Sequence, residues 1–421
     1  MTDLIVSNAR LADGSFPVDI AIAAGRITAI TPTLAPAADG PPRIEAQGRL
    51  LLAGLVETHV HLDKTCILDR CTAAEGSVAE AVRLTSLAKR SFTPEDVYAR
   101  GQRTLERAIG WGTTRMRTHV EVDPGIGLRG FEGVQQLAQD YAWAMDIELC
   151  VFPQEGLLNN PGTDALLIEG LRRGARVIGA VPYIDSDPRG QIDRIFAIAR
   201  EWDVDIDMHL DMGDTPEGMQ VEYVCRKTEE YGWGGRVAVG HVTQMSLVPP
   251  ARFAALAATL ARAGVAVTVL PATDLFLMGR AHTNAIPRGV VVAEPLRAAG
   301  VVCSIATNNV LNPFTPYGDA NLLRMANLYA NVCHVARPHD LAGCLHMVTD
   351  DAAKLLRATD YGIKMGSPAD LVLFDATDAA GAVAELAQPL WGMKAGRRTF
   401  TRPQPTLHRP TLHHPSSAPP A

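Results

Sequence analysis

The chain has 421 residues, a formal net charge of −7 and a sequence pI near 6.0. It contains no run of like charges, so its charge pattern does not favour a nucleic-acid or an anionic-membrane partner, and a small-molecule substrate fits better. The length exceeds what one small core needs and fits two or three domains, or one large barrel with additions.

The cysteines predict a reducing compartment. There are seven of them, an odd number, and none forms a C-x-x-C pair, which argues against a disulfide framework and a thiolate zinc site. Asp3 stands where a signal peptide carries bases, and no long uncharged apolar stretch follows. We therefore expect a cytoplasmic protein that does not span a membrane.

The two ends of the sequence share a β-rich texture. Residues 4–52 contain short apolar stretches separated by glycine and proline, which is typical of small β modules. The same texture returns at 370–374 and 391–400. We expect residues 1–53 and 363–401 to form one small β-sandwich-like domain built from both termini.

Residues 54–362 show apolar strands alternating with helical segments, the pattern of a parallel sheet with crossover helices. Eight strands are predicted, at 51–61, 114–120, 147–154, 177–183, 204–211, 236–242, 265–271 and 301–308. Eight such strands over this length predict an α/β fold with a closed (β/α)8 barrel.

Helices are predicted between these strands. One begins after Thr93 with a proline and two acids, and others cover 217–231, 249–263 and 318–336. The helix at 318–336 has enough apolar surface to contact a second copy of the chain as well as the core. Residues 402–421 are rich in proline and are predicted to form a disordered tail.

A His-x-His pair ends the first barrel strand, in the stretch Gly54-Leu-Val-Glu-Thr-His-Val-His-Leu-Asp-Lys64. In a strand this spacing points His59 and His61 to the same side, where both can bind one metal ion. The pair alone is only moderately specific, because histidines at a wet strand end are also satisfied by ordinary hydrogen bonds.

Further polar residues fall at the carboxyl ends of later strands, where barrel enzymes carry their active sites. They are His119, Gln154, His209, Asp211, His241 and Asn308. In the fifth strand, strict alternation puts Asp205, Asp207, His209 and Asp211 on one face. Such a polar face is costly to bury unless something binds there, and a metal ion on His59, His61 and His209 meets that need.

These motifs resemble the amidohydrolase superfamily, and within it the cytosine deaminase and N-isopropylammelide amidohydrolase branch. The resemblance covers nearly the whole chain. Besides the His-x-His stretch, it rests on Arg117-Thr-His119, Phe152-Pro-Gln-Glu-Gly156, Asp207-Met-His209, Gly240-His241, Asn312-Pro-Phe-Thr-Pro-Tyr-Gly318 and Gly366-Ser-Pro-Ala-Asp-Leu371.

The resemblance implies a role for each matching residue. His59, His61 and His209 would bind a divalent metal ion, for which zinc, iron and manganese are all suitable. His241 would assist the water or the reacting group. Gln154 would hydrogen-bond the substrate's ring amide, and His119 is expected to contact substrate as well.

Two positions depart from the family pattern. Cytosine deaminases have a proton-shuttling glutamate three residues after the fifth-strand histidine, where this chain has Met212. They also have a metal-binding aspartate at the eighth strand, where this chain has Asn308, whose amide oxygen could still face the metal. General acid–base steps are worth about 100- to 10,000-fold each, so another group must carry the proton.

Asp211 is our first candidate for that base, because it lies on the polar face of the fifth strand, one position before Met212. Glu155, Asp214 and Asp63 lie at neighbouring strand ends. The alternative for Asp211 is a loop acid that caps the next turn.

The sequence thus predicts a metal-dependent hydrolase of a non-peptide C–N bond, of the deaminase or amidase type, acting on a small cyclic or amidine-like compound. We expect weak or no activity on cytosine because of Met212. The alternative is a catalytically silent metal-binding or small-molecule-binding protein on the same scaffold, and a third reading uses the metal for isomerisation or elimination.

Overall fold

The N-terminal residues form one sheet with both antiparallel and parallel pairs, and supply one strand to a second sheet. The computed structural model describes residues 2–35 and 39–408. Its first five strands are β1 (Leu4–Ala9), β2 (Val18–Ala23), β3 (Arg26–Thr31), β4 (Arg43–Glu45) and β5 (Leu50–Ala53). Strands β1 to β4 make one four-stranded sheet in the order β3-β2-β1-β4, while β5 leaves it for another sheet.

Eight parallel strands follow, in one sheet whose spatial order is their order in the sequence. They are β6 (Leu55–Val60), β7 (Thr113–Glu121), β8 (Asp146–Phe152), β9 (Val177–Ala180), β10 (Asp205–Leu210), β11 (Val237–His241), β12 (Val265–Val269) and β13 (Cys303–Ile305). The three last strands of the chain are β14 (Leu371–Phe374), β15 (Pro389–Lys394) and β16 (Arg397–Thr401).

The eight-stranded sheet closes on itself just beyond the end of β13. The backbone N–H of His61 donates to the carbonyl oxygen of Asn308 at 2.9 Å, and the N–H of Asn308 donates to that of His59 at 2.8 Å. These two hydrogen bonds join the end of the first barrel strand, β6, to the segment that follows the last barrel strand, β13. The predicted α/β fold with a (β/α)8 barrel is confirmed.

The helices surround the barrel and connect its strands. They are α1 (Val78–Ala88), α2 (Pro94–Gly110), α3 (Arg129–Asp140), α4 (Thr163–Arg172), α5 (Pro188–Trp202), α6 (Val221–Tyr231), α7 (Pro250–Ala263), α8 (Pro271–Leu277), α9 (Ala293–Ala298), α10 (Leu322–Val332), α11 (Pro338–His346), α12 (Asp350–Leu355) and α13 (Ala379–Ala384). Side chains cap several of them: Thr93 accepts from the N–H of Asp96 at the start of α2, and Asn321 accepts from that of Arg324 in α10.

The stretch 51–61, predicted as one strand, is two strands in different sheets. β5 pairs with β14 in a sheet of order β16-β15-β14-β5, and β6 begins the barrel. The change of sheet occurs at Gly54, whose N–H donates to the carbonyl oxygen of Asp370. A β-carbon at Gly54 would lie 2.1 Å from Oγ1 of Thr114, so only glycine lets the chain pass this close to the barrel.

One apolar cluster joins the sheets formed by the two ends of the chain. It contains Ile20 and Ile27 from the N-terminal sheet, with Leu51, Leu371 and Trp391 from the C-terminal sheet. The exact boundaries of the predicted domains, 1–53 with 363–401 and 54–362, stay a prediction.

Residues 402–408 have no regular secondary structure and most are exposed. The rest of the predicted disordered tail, 409–421, lies outside the described residues. Within the described parts of the chain, we find no helix of the length and apolarity that a membrane crossing requires.

Candidate active site

Three imidazoles meet at the carboxyl ends of the barrel strands. Nε2 of His209 lies 3.1 Å from Nε2 of His59 and 3.1 Å from Nε2 of His61. All three side chains are buried. Desolvation, and then the neighbouring histidines, lower the pKa of His59 to about 3, and burial also holds the pKa of His61 and His209 well below the usual value.

This arrangement fits a metal ion. The imidazoles are neutral, as ligands must be, and their Nε2 atoms lie as close together as nitrogens that bind one ion at ~2.0–2.1 Å. Hydrogen bonding alone would leave them poorly satisfied, because one nitrogen of His209 faces two others. The three residues therefore form a group able to hold a metal.

Asn308 lines the same cavity as His61 and His209. Its side chain is buried, and neither its amide oxygen nor its amide nitrogen has a hydrogen-bond partner among the described residues. Its φ of 62° is in the left-handed region, which asparagine tolerates better than most residues. A buried amide without partners indicates a position for a ligand atom.

Asp207 supports the histidines from behind. Its Oδ1 lies 3.8 Å from Nδ1 of His59 and 3.5 Å from Nε2 of His119, and its Oδ2 accepts from Nη1 of Arg117 at 2.9 Å. Burial by itself raises the pKa of Asp207, but His119, His59 and Arg117 together lower it well below the usual value. The carboxylate is therefore ionised and lies beside the rings of His59 and His119, beyond hydrogen-bond distance of His59.

His119 is placed differently from our prediction. Its ring stacks on that of His59, with centroids 3.7 Å apart, and His119 is absent from the described residues that line the cavity. The expected contact between His119 and substrate stays a prediction, which this stacked position does not favour. Because β7 is adjacent to β6, the ring of His119 lies against the ring of His59 and not in the described lining of the cavity.

Gln154 lines the cavity, as expected of a substrate-binding residue, and has a partner that we did not predict. Its Oε1 accepts from Nζ of Lys64 at 2.7 Å. Lys64 is buried, lines the same cavity, and has its Nζ 3.7 Å from Oε2 of Glu121. Because the lysine occupies Oε1, the amide N–H groups of Gln154 are free to donate into the cavity.

His241 is held by an acid that the sequence analysis missed. Nδ1 of His241 lies 2.5 Å from Oδ1 of Asp274, a buried residue of α8, the helix that follows β12. The only sequence signal was a polar residue shortly after the end of a barrel strand. With Nδ1 engaged, Nε2 is the nitrogen of His241 that remains for the cavity.

Asp211 caps a helix. Its two carboxylate oxygens accept from the N–H groups of Gln220 and Val221, at 2.7 and 2.9 Å, at the start of α6. Desolvation raises its pKa to about 6, and these two hydrogen bonds lower it only in part. The structure thus favours the capping alternative over the catalytic one for Asp211.

The other candidate acids also have partners. Glu155 forms an ion pair with Lys89, Asp63 accepts from the N–H of Glu121, and Asp214 accepts from that of Gly279. None of them is among the described residues that line the cavity. Each of these three carboxylates contacts a donor outside the cavity lining or a backbone N–H group, which explains why it does not face the cavity.

A small cavity lies beside the three imidazoles. Val78, Val82, Met212, Leu277 and Phe314 form its apolar walls, and its polar lining includes Tyr183, Thr273 and Asn309. Apolar walls with a few polar groups are the lining that a planar heterocycle requires, with apolar side chains for its faces and Gln154 for a polar edge.

Comparison with known proteins extends this picture. Residues 102–400 match the sequence profile of the Amidohydrolase family. The chain is 28% identical over 372 residues to a pterin deaminase of Rhizobium rhizogenes, covering 86% of this chain and 83% of the relative. It is 25% identical over 410 residues to the N-isopropylammelide isopropyl amidohydrolase of Pseudomonas sp., covering 94% and 96%.

Solved structures agree. The 5-methylcytosine deaminase of Klebsiella pneumoniae with 5-fluorocytosine has a TM-score of 0.91 at 28% identity, covering 96% of this chain and 99% of that chain. The N-isopropylammelide isopropylaminohydrolase of Burkholderia multivorans has a TM-score of 0.83 at 30% identity, covering 94% and 98%. The chain therefore belongs to the amidohydrolase family and is a hydrolase of carbon–nitrogen bonds other than peptide bonds.

Proposed function

We propose that the protein removes an amino or alkylamino group from a small, planar nitrogen heterocycle by metal-dependent hydrolysis. The observation that carries this proposal is the meeting of three buried imidazoles beside a cavity that Gln154 also lines, with Nε2 of His209 3.1 Å from Nε2 of each of the other two. The named relatives, a pterin deaminase, a 5-methylcytosine deaminase and an ammelide amidohydrolase, support the substrate class.

In this proposal His59, His61 and His209 bind one zinc, iron or manganese ion, with the amide oxygen of Asn308 as a further ligand. The bound ion supplies Lewis-acid activation of water. Asp207 lies beside the ring of His59. Because the Asn308 amide is neutral, the protein compensates less of the ion's charge than an aspartate would.

The remaining cavity residues bind and orient the substrate. Gln154 donates its amide N–H groups to a ring carbonyl or ring nitrogen, and Lys64 holds the amide in that orientation. Met212 and Phe314 pack on the ring and exclude water from it. Nε2 of His241 takes a proton from the attacking water and returns it to the leaving nitrogen.

We also propose a cytoplasmic location and a small molecule as the only ligand besides the metal, with no nucleic-acid or membrane partner. All seven cysteines are free in the structure, which supports a reducing compartment. Association with a second copy through α10 stays a prediction. The named relatives do not support the alternative of a catalytically silent binding protein.

Metal content and turnover test this proposal together. Protein purified without chelator is expected to hold about one divalent ion per chain by elemental analysis, and to release ammonia or an amine from pterins, triazines or substituted pyrimidines but not from cytosine. His209→Ala is expected to lose both the ion and the activity, whereas His339→Ala, an exposed control, keeps them.

Absence of the ion from both the wild type and the control would contradict the metal assignment. A full complement of metal with no turnover across that panel would contradict the hydrolytic proposal. Rapid turnover of cytosine would contradict the prediction made from Met212.

A further inference from the structure

A proton-carrying group has to be found for this active site, because Met212 and Asn308 stand where cytosine deaminases have acids. We propose that Asp274 is a positioning residue that fixes the tautomer and the orientation of His241, so that Nε2 of His241 carries the proton. This inference rests on the proposed function. It adds Asp274, a residue of α8 that is not part of the sequence motifs described above.

The contact between the two residues is short and sheltered. Oδ1 of Asp274 lies 2.5 Å from Nδ1 of His241, and both side chains are buried. The second oxygen, Oδ2, has no hydrogen-bond partner among the described residues. Burial raises the pKa of Asp274, and the contact with His241 opposes that rise. The ionised carboxylate that we assign to Asp274 is an acceptor, so the hydrogen of the neutral imidazole lies on Nδ1 and the lone pair on Nε2.

The backbone also fixes the direction of His241. Its φ is 72°, and Val242 follows with a φ of 45°, values that are uncommon for residues other than glycine. The N–H of Val242 donates to the carbonyl oxygen of Leu210 at 2.9 Å, which ties this turn to the neighbouring strand. Strained residues of this kind persist where the surrounding structure holds them, and they are concentrated at functional sites.

Other acids close to the site are committed elsewhere. Asp211 caps α6 and Glu155 pairs with Lys89, while Asp207 contacts His59, His119 and Arg117 behind the imidazole cluster. His241 lines the cavity but is not one of the three clustered imidazoles. Among the described residues, Asp274 is the acid whose carboxylate is within hydrogen-bond distance of it.

The proton balance of the step is complete with these groups. Water adds its hydroxyl group to the ring carbon and gives its other proton to Nε2 of His241. Nε2 passes this proton to the leaving nitrogen, the bond between the ring carbon and that nitrogen then breaks, and the nitrogen departs as ammonia or an amine. The hydroxyl proton stays on the product, which becomes a ring carbonyl with an N–H group. Asp274 keeps its charge throughout and stabilises the imidazolium while it exists.

Asp274→Asn tests the inference kinetically. A neutral amide can present its N–H to Nδ1, which favours the opposite tautomer and removes the lone pair from Nε2. We expect kcat to fall about 100-fold or more, with KM within threefold and the metal content unchanged. Asp274→Glu keeps a carboxylate and is expected to recover part of kcat.

The matched control is Asp214→Asn. Asp214 accepts from the N–H of Gly279, just after α8, and lies outside the described lining of the cavity. It therefore supports the same segment without contacting His241, and kcat is expected to stay within threefold. Equal losses in Asp214→Asn and Asp274→Asn would show a structural effect and overturn the proposal.

A second measurement does not depend on activity. Nitrogen-15 NMR of the histidine side chains in the metal-loaded wild type is expected to show His241 with its hydrogen on Nδ1, assigned by comparison with His241→Gln. A hydrogen on Nε2 would overturn the inference about Asp274 even if the enzyme is active. The expected tautomer in a protein with no turnover would instead sustain this inference while the proposed function fails.

Discussion

At the scale of single residues, Asp207 is a buried charge that lies beside two histidine rings, those of His59 and His119. It lies under two histidines and against Arg117, whose pKa is raised because Glu148 and Asp207 outweigh the effect of burial. The carboxylate and the guanidinium stabilise each other where either alone would be costly to bury. The charge of Asp207 also acts on the neighbouring imidazole of His59, although Asp207 is outside the described lining of the cavity.

Asp207→Asn is therefore expected to weaken metal binding without abolishing it. Loss of an outer carboxylate partner typically costs about 10- to 100-fold in metal affinity. Competition with a chromophoric chelator measures the change. Asp205→Asn is the control, because Asp205 lies on the same strand but pairs with Arg236 and Arg357. Equal affinities for wild type and Asp207→Asn would contradict this role.

Asp211 gives a prediction about pH. Its pKa in the folded protein is about 6 because of burial, compared with about 3.8 in the unfolded chain. A carboxyl whose pKa is raised by folding contributes stability that is complete below pH ~4 and is lost as the pH rises through 6, by up to about 3 kcal/mol.

Asp211→Asn stays neutral, so its free energy of unfolding is expected to vary less between pH 4 and 7 than that of the wild type. Urea titrations at several pH values measure this difference. Because asparagine is also a good capping residue, kcat is expected to stay within threefold. A fall of 100-fold would instead restore Asp211 as a catalytic base.

At the scale of elements, close packing between helices depends on particular glycines. α2 and α3 cross at Gly133, where a β-carbon would lie 2.5 Å from the carbonyl oxygen of Pro94 and 2.9 Å from Cβ of Val97. The first of these atoms belongs to the backbone and cannot move aside. Gly110, the last residue of α2, has no atom within 4 Å of an added β-carbon.

Gly133→Ala and Gly110→Ala form a matched pair. The first is expected to destabilise the protein by about 1–3 kcal/mol through overpacking. The second is expected to be neutral or to stabilise by about 0.5 kcal/mol, because alanine favours the helix. Thermal or urea unfolding compares the two, and equal effects would contradict the packing argument.

The elements were also the level at which sequence reasoning worked best. Period-two alternation in β10 was enough to place His209 on the inner face. His59, in β6, and His61, just after its end, followed from their spacing. The pairing of His241 with Asp274 was out of reach, because it joins residues 33 positions apart across two elements. Likewise, the position of His119 behind His59 depends on strand register, which no local pattern reveals.

At the scale of the whole molecule, Lys394 connects the sheet of the chain's C-terminal part to the barrel. Its Nζ donates to Oδ2 of Asp370 at 2.7 Å and to Oδ2 of Asp146, at the start of β8, at 2.6 Å. Lys394 and Asp370 are buried, whereas the side chain of Asp146 is half exposed. The pair with Asp370 is therefore the stronger contribution, since water screens the other.

Lys394→Met keeps the length of the side chain and removes its charge. It leaves the carboxylate of Asp370 buried with one donor fewer, so we expect a loss of about 1–3 kcal/mol in unfolding free energy. Arg397→Met, at an exposed position of β16, is the control and is expected to change stability by less than about 0.5 kcal/mol. Equal stability of both variants would show that the sheet needs no such tether.

The bridge that closes the barrel has one more consequence. The backbone of Asn308 pairs with the first barrel strand and closes the barrel. Its side chain lines the cavity beside His61 and His209. After glycine, asparagine and aspartate are the residues that best tolerate its left-handed backbone, so either can occupy the position without a change in the backbone that closes the barrel. An exchange of Asn308 for aspartate would therefore add a negative charge beside His61 and His209 and leave the backbone that closes the barrel as it is.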